Sequence, residues 1–303
     1  MVSDSLFSQS PSASVSRIRG VAQSDAHRRV CAFLVSAALF STVLCARADA
    51  EADRNAFRRA YQQRFPAVEL DQFVLGVYAI DAKLRTQYEA INEFPPYEFA
   101  LDEGAALART LFANARDLDE CLGQNGDRAA NEYPYFDSVS GEIVTLPVAV
   151  NRCRERYGRE PLSYKQQPLT KVLAFLNFGA RGSRRAVEPP SDHRARTAYE
   201  AGKMYFYTKR GQLNLSCADC HLTAAGRHLR EQTLAPLLGV VNRYPVYGLR
   251  WGALGTLHQR FVGCLEQVRA EPEYPQSRPF RELEYFLALM SNGLPMIGPG
   301  THR

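Results

Sequence analysis

An excess of charge of one sign is missing from this chain. Its 37 lysines and arginines face 32 aspartates and glutamates, and a net +5 over 303 residues does not make nucleic acid the default partner. Beyond the N-terminal segment there is no long apolar run either. A membrane span needs about 20 apolar residues, so the body of the chain is expected to have none. A glycine-rich phosphate loop, a heptad array and a solenoid period are all lacking. The composition, 46% hydrophobic and 23% charged, excludes a disordered chain, a collagen repeat and a disulfide-packed miniprotein. The length suffices for two domains.

What is present, and uncommon, is an odd number of cysteines: Cys31, Cys45, Cys121, Cys153, Cys217, Cys220 and Cys264. Arg28 and Arg29 precede a mostly apolar stretch, Val30 to Leu44, and Ala48-Asp49-Ala50 follows with small-x-small spacing. That order predicts a secretory signal over residues 1–50, cleaved near Ala50, and hence a periplasmic protein. Cleavage removes Cys31 and Cys45 and leaves five cysteines in an oxidising compartment, where disulfides and covalent haem attachment are both permitted.

The mature chain divides at a polar, arginine-rich, proline-broken stretch from Ala180 to Arg196. This predicts one domain over 51–180, a linker over 181–196 and a second domain over 197–303, both mainly α-helical. Expected helices are Glu51 to Phe65, Asp102 to Ala115 with Asp102 as N-cap, Lys171 to Phe178, Ala195 to Tyr207, and Phe280 to Met290. Tyr133 to Leu146 reads as loop with a short hairpin. Residues 201–303 hold 12 basic and 7 acidic side chains, a surplus that favours a small anion or an acidic partner surface.

Cys217-Ala218-Asp219-Cys220-His221 is C-x-x-C-H, the attachment sequence of c-type haem. Two thiols two residues apart can add to the two vinyl groups of one porphyrin edge, and the next histidine reaches the iron. A thioredoxin-like pair would need an α/β setting, and a zinc site would need a second C-x-x-C or H-x-x-H. Neither is present. For the iron's other axial position the sequence offers Met290, Met296, His228, His258 and Cys264. Met290 lies on the apolar stripe of the last helix and Met296 in a Pro-Gly tail. Arg260 precedes Cys264 by four, so on a helix the two share a face, and a neighbouring cation favours the thiolate. Spacing alone leaves a buried structural cysteine equally open.

The stretches Gly211 to His221, Arg243-Tyr244-Pro245-Val246-Tyr247, Gly255-Thr256-Leu257-His258-Gln259-Arg260-Phe261, Gly263-Cys264, Val268-Arg269-Ala270-Glu271 and Ser291-Asn292-Gly293-Leu294 resemble the SoxA family. These are the A subunits of the sulfur-oxidising (Sox) cytochrome complex. In the first block Phe94-Pro95-Pro96-Tyr97-Glu98, Tyr133-Pro134-Tyr135-Phe136-Asp137 and Asn151-Arg152-Cys153-Arg154 are similar too. The resemblance implies two cytochrome c-like domains in tandem and a heterodimer with the small monohaem cytochrome SoxX. It implies an L-cysteine S-thiosulfotransferase, which oxidatively couples thiosulfate to a cysteine of the carrier SoxYZ and releases two electrons. By motif, Cys217 and Cys220 would attach the haem and His221 would be its proximal ligand. Cys264 would be the distal ligand and catalytic sulfur, which the family carries as a persulfide. Arg260 would bind the anionic substrate.

There is one departure from the family pattern. Where many members attach a second haem, this chain reads Cys121-Leu122-Gly123-Gln124-Asn125, without the second thiol or the histidine. The resemblance therefore implies a haem-less N-terminal domain, a Cys121–Cys153 disulfide and a single covalently bound haem c. The alternatives are a plain electron-transfer cytochrome with methionine ligation and a non-catalytic haem scaffold.

Overall fold

Short helices that cross at small residues, joined by small hairpins, build the molecule. The computed structural model describes residues 50–112, 118, 121–122, 130–230 and 232–302. Apart from Ala50, the expected signal segment lies outside the described residues, as do Gln124 and Asn125.

One core is organised by α3 (Glu98–Leu111) crossing α5 (Gln167–Gly179). The approach is close because Gly104 lies on the partner backbone, where an added Cβ would sit 2.2 Å from the Lys171 carbonyl oxygen. Residues 50–64 form α1, and α2 runs Ala82–Asn92, capped by Asp81, whose carboxylate accepts the Leu84 N–H at 3.0 Å. Strands β1 (Tyr135–Asp137) and β2 (Glu142–Val144) pair antiparallel with Tyr135 opposite Val144. Thr145 then caps α4 (Leu146–Arg156), which carries Cys153 into this core, where it is disulfide-bonded to Cys121.

The second core repeats the device. Here α6 (His193–Tyr207) crosses α8 (Arg278–Met290) at Gly202, where a Cβ would stand 2.0 Å from the Glu282 carbonyl oxygen. Phe280, Leu283, Phe286, Leu287 and Met290 of α8 are buried, as the apolar spacing requires. The small hairpin β3 (His228–Leu229) and β4 (Gln232–Thr233) lies apart from a three-stranded sheet. In that sheet β5 (Val246–Gly248) pairs antiparallel with β6 (Ala253–Gly255) and parallel with the C-terminal β7 (Gly300–His302). Helix α7 (Leu257–Gln267) follows directly from β6.

Three expectations need correction. Helix α3 starts at Glu98, one turn before Asp102, which is an interior residue of the helix. Pro95-Pro96 ends the preceding helical path, and buried Tyr97 anchors the new start. Residues 51–79 are expected in the first domain, yet side chains from this stretch, Phe57, Tyr61, Phe73 and Val74 among them, pack in the second core. Phe57 meets Phe206 at 5.8 Å and Phe286 at 6.3 Å between ring centroids. The stretch 181–192 is not a free linker. Arg185 is buried there, donating to Asn242 Oδ1 at 2.9 Å and to the Tyr133 carbonyl. Val187 N–H donates to Asn292 Oδ1 at 2.8 Å, so the connection is held between the cores rather than solvated.

Candidate haem and catalytic site

The C-x-x-C-H segment begins at a reciprocal cap. The Asp219 carboxylate accepts from Ser216 N–H and Oγ–H, both at 2.8 Å, and Ser216 Oγ accepts the Asp219 N–H at 3.0 Å. These hydrogen bonds, led by that from the Ser216 backbone, hold the Asp219 carboxyl below the usual carboxylate range. The cap launches a single wide turn, Asp219–Thr223, that places Cys217, Cys220 and His221 on one wall.

Helix α1 clamps this turn from behind. Tyr61, fully buried, donates to the His221 carbonyl at 2.8 Å and accepts the Leu237 N–H at 3.2 Å. One turn further on, Arg64 donates to the Thr223 and Ala225 carbonyls at 2.8 and 2.7 Å. The His221 ring is oriented by a 2.9 Å hydrogen bond between Nδ1 and the Ala235 carbonyl, which leaves Nε2 as the free ligand nitrogen.

The opposite wall is α7. Thr256 and Gln259 form a capping box, Oγ1 accepting the Gln259 N–H at 3.2 Å and Oε1 accepting the Thr256 N–H at 2.7 Å. The start so fixed brings Arg260 and Cys264 to the same face of α7, which lines the cavity together with His221. Burial pushes the Cys264 thiol up, but the influence of the His221 ring and the Arg260 charge outweigh it and leave the thiol below its ordinary value. Burial raises Cys217 to about 12 and moves Cys220 in the same direction. The two wall thiols are thus held protonated and apolar, and the thiol beside Arg260 is the acidic one.

Between the walls lies a cavity of about 990 Å³, lined by Cys217, Cys220, His221, Arg260 and Cys264 and by Phe206, Phe280, Leu283 and Leu287. That volume is at the upper end of the range for enclosed ligands, and the lining joins apolar walls to two thiols and one imidazole. The residues present therefore fit haem c: Cys217 and Cys220 for the thioethers, His221 for the iron, Cys264 across from it. Of the other ligand candidates, Met290 and Met296 are buried in the core and do not line the cavity. His258 is buried against Glu284 at 2.8 Å, and His228 is exposed at the cavity rim. Arg260 also lines an adjoining pocket of about 470 Å³ with Arg230, Arg250, Arg269 and Trp251. The surplus positive charge read from the second block converges there.

Sequence reasoning missed Tyr61 and Arg64, because they lie about 160 residues from the turn they hold. Their only local signal is an i, i+3 pair on one helix.

A half-buried C-x-x-C thiol pair followed by a cavity-facing histidine, in a mainly helical fold, defines a c-type cytochrome. A family model described as SoxA/TsdA, cytochrome c domain, matches residues 105–184 and 201–296. The L-cysteine S-thiosulfotransferase subunit SoxA of Allochromatium vinosum is 46% identical over 254 residues, 84% of this chain and 90% of that protein. Its counterpart from Chlorobaculum tepidum is 42% identical, covering 84% and 88%. A crystal structure of SoxXA from P. pantotrophus matches with a TM-score of 0.64 at 26% identity, over 72% of this chain and 84% of that one. The chain belongs to the SoxA family of L-cysteine S-thiosulfotransferase subunits, with haem c as cofactor.

Proposed function

We propose that this chain is the haem-bearing subunit that couples thiosulfate to a cysteine of a SoxYZ-type carrier in the periplasm, working as a heterodimer with a SoxX-type monohaem cytochrome. The structural match to SoxXA supports the partner. The tandem arrangement, with its first domain haem-less, and a single haem on Cys217, Cys220 and His221 belong to the same reading. The disulfide that occupies Cys121 and Cys153 supports it.

The observation that carries the reaction is the pairing of Arg260 and Cys264 on one face of α7, across the cavity from His221. The balanced step is thiosulfate plus carrier thiol giving the carrier S-thiosulfonate, one proton and two electrons. Cys264 is the reacting sulfur at which the substrate's sulfane end is engaged, and its lowered pKa supplies the thiolate. Arg260 holds the sulfonate end and offsets its charge inside a poorly solvated wall. The haem, when bound, is the electron relay toward the partner cytochrome. The neighbouring arginines concentrate the anion at the entrance.

Absorption and EPR spectra of the purified holoprotein test this. Histidine–thiolate ligation that changes in Cys264→Ala is the expected result. Methionine-ligated iron would overturn it in favour of a plain electron carrier.

A further inference from the structure

One wall of the large cavity carries a charge that the chemistry above does not use. Arg243 is 5% exposed, the one buried cation among the described residues lining the cavity. Its Nη1 donates to the Leu75 carbonyl at 3.0 Å and its Nη2 donates to the Thr301 carbonyl at 2.5 Å. The guanidinium also lies over Tyr78 at 5.1 Å and Tyr88 at 5.8 Å from the ring centroids. No described carboxylate stands within ion-pair distance of it, and Nε is buried without a hydrogen-bond partner. Asp81 is the only carboxylate among the described residues lining the cavity, and it caps α2. A buried guanidinium held by carbonyls and aromatic faces, with no counter-charge, is costly, and an anion would offset that cost.

The haem that fits this cavity brings two. Its carboxylates stand on the porphyrin edge opposite the vinyl groups, and the vinyl edge is tied to Cys217 and Cys220. The other partly or fully buried arginines of the cavity are engaged elsewhere. Arg210 stacks on Tyr205 at 3.8 Å and acts on Cys217, on the thioether side, and Arg260 stands beside Cys264. Lys83, Arg230 and Arg250 are exposed.

We propose that Arg243 is the counter-ion of a haem carboxylate and so a positioning residue that holds the carboxylate edge of a ring whose opposite edge is tied to Cys217 and Cys220. This rests on the haem reading above. Arg243 bridges the segment at Leu75 and strand β7 at Thr301, so carboxylate binding would also tie these two segments to the cofactor.

The test uses the holoprotein with haem labelled at its carboxylate carbons. In the wild type, difference infrared and resonance Raman spectra are expected to show an ion-paired carboxylate. In Arg243→Gln the carboxylate bands should shift toward those of a solvated group and the reduction potential should fall, since an uncompensated carboxylate favours ferric iron. Arg243→Lys should recover most of both shifts. Wild-type carboxylate bands already matching those of a free haem c peptide would overturn the proposal, whether or not the variants fold. So would an Arg243→Gln protein with unchanged bands and potential. A purified chain with no haem c by its pyridine haemochrome spectrum would instead overturn the haem reading on which the proposal stands.

Discussion

The first and second blocks of this protein run the same course with different endings. In each, a cis Tyr-Pro bond, Tyr133-Pro134 or Tyr244-Pro245, leads into a hairpin, β1–β2 or β5–β6. A capping threonine follows, Thr145 or Thr256, then a helix with a cysteine at Cys153 or Cys264. A last helix opens on Gln167-Pro168 or Arg278-Pro279. Every one of these pairs is 111 residues apart, as the numbering shows. Within this shared frame a few side chains diverge. Cys153 meets Cys121 and is sealed in a disulfide, whereas Cys264 meets His221 and stays a thiol. The position matching Arg260 is Ala149, a buried side chain with no charge to lower a thiol's pKa. The fate of a cysteine at this place in the frame is set by what faces it, not by the helix that carries it.

The largest effect should come from treating the two cysteines alike. Cys264→Ala is expected to abolish coupling of thiosulfate to the carrier in a turnover assay with the partner cytochrome. Cys121→Ser combined with Cys153→Ser should leave coupling intact and cost about 3–4 kcal/mol in urea denaturation, the chain-entropy value for closing a loop of this size. If the double variant lost its activity while folded, the first block would be more than a stapled frame.

The crossing glycines break the comparison in a second way. Gly104→Ala and Gly202→Ala each drive a methyl group into a partner carbonyl, and each should destabilise by about 1–3 kcal/mol, read from denaturation midpoints. Only Gly202→Ala should also lower the haem content per chain. Helices α6 and α8 line the cavity through Phe206, Phe280 and Leu283, whereas α3 and α5 contribute nothing to it. Equal haem loss in both variants would mean that the cavity depends on the first core as well.

The two cores were unequally legible in the sequence. The α8 stripe, Leu283, Phe286, Leu287 and Met290, announced a buried helix face and removed Met290 from the iron's candidates, because periodicity is a local signal. The C-x-x-C-H spacing and the i, i+4 relation of Arg260 and Cys264 were legible for the same reason. Long-range packing was not. Nothing near Phe57 or Tyr61 says that α1 joins the second core, and the polar look of 181–196 concealed Arg185, which is buried because carbonyls and Asn242 surround it. The 111-residue repeat was present in the sequence, in the matching Tyr-Pro, Thr and Cys positions. It is thinly marked because only residues that turn, cap or ligate are shared, while the core side chains between them are free to vary.

One element of the second block has no counterpart among the described residues of the first, and its effect is the one that vanishes at neutral pH. The β5–β6 hairpin gains β7 as a third strand, whereas β1–β2 stays two-stranded among the described residues. That strand carries His302 to the wall shared by both cavities. Burial, then the charges of Arg243, Arg260 and Arg250, push the His302 imidazole down from 6.5 to about 3. Below pH 6.5 the unfolded chain takes up a proton at this residue that the folded chain refuses, so stability must fall as pH drops toward 3. The slope from this group is at most about 1.4 kcal/mol per pH unit. His302→Gln removes the proton uptake from both states and should flatten the acid side of the stability profile, measured by urea denaturation at stepped pH. The neutral imidazole adds no charge to the three arginines around it, so the variant should match the wild type at pH 7 more closely than at about pH 4. Parallel profiles across that interval would mean that His302 takes up its proton in the folded state, among the arginines that line the site.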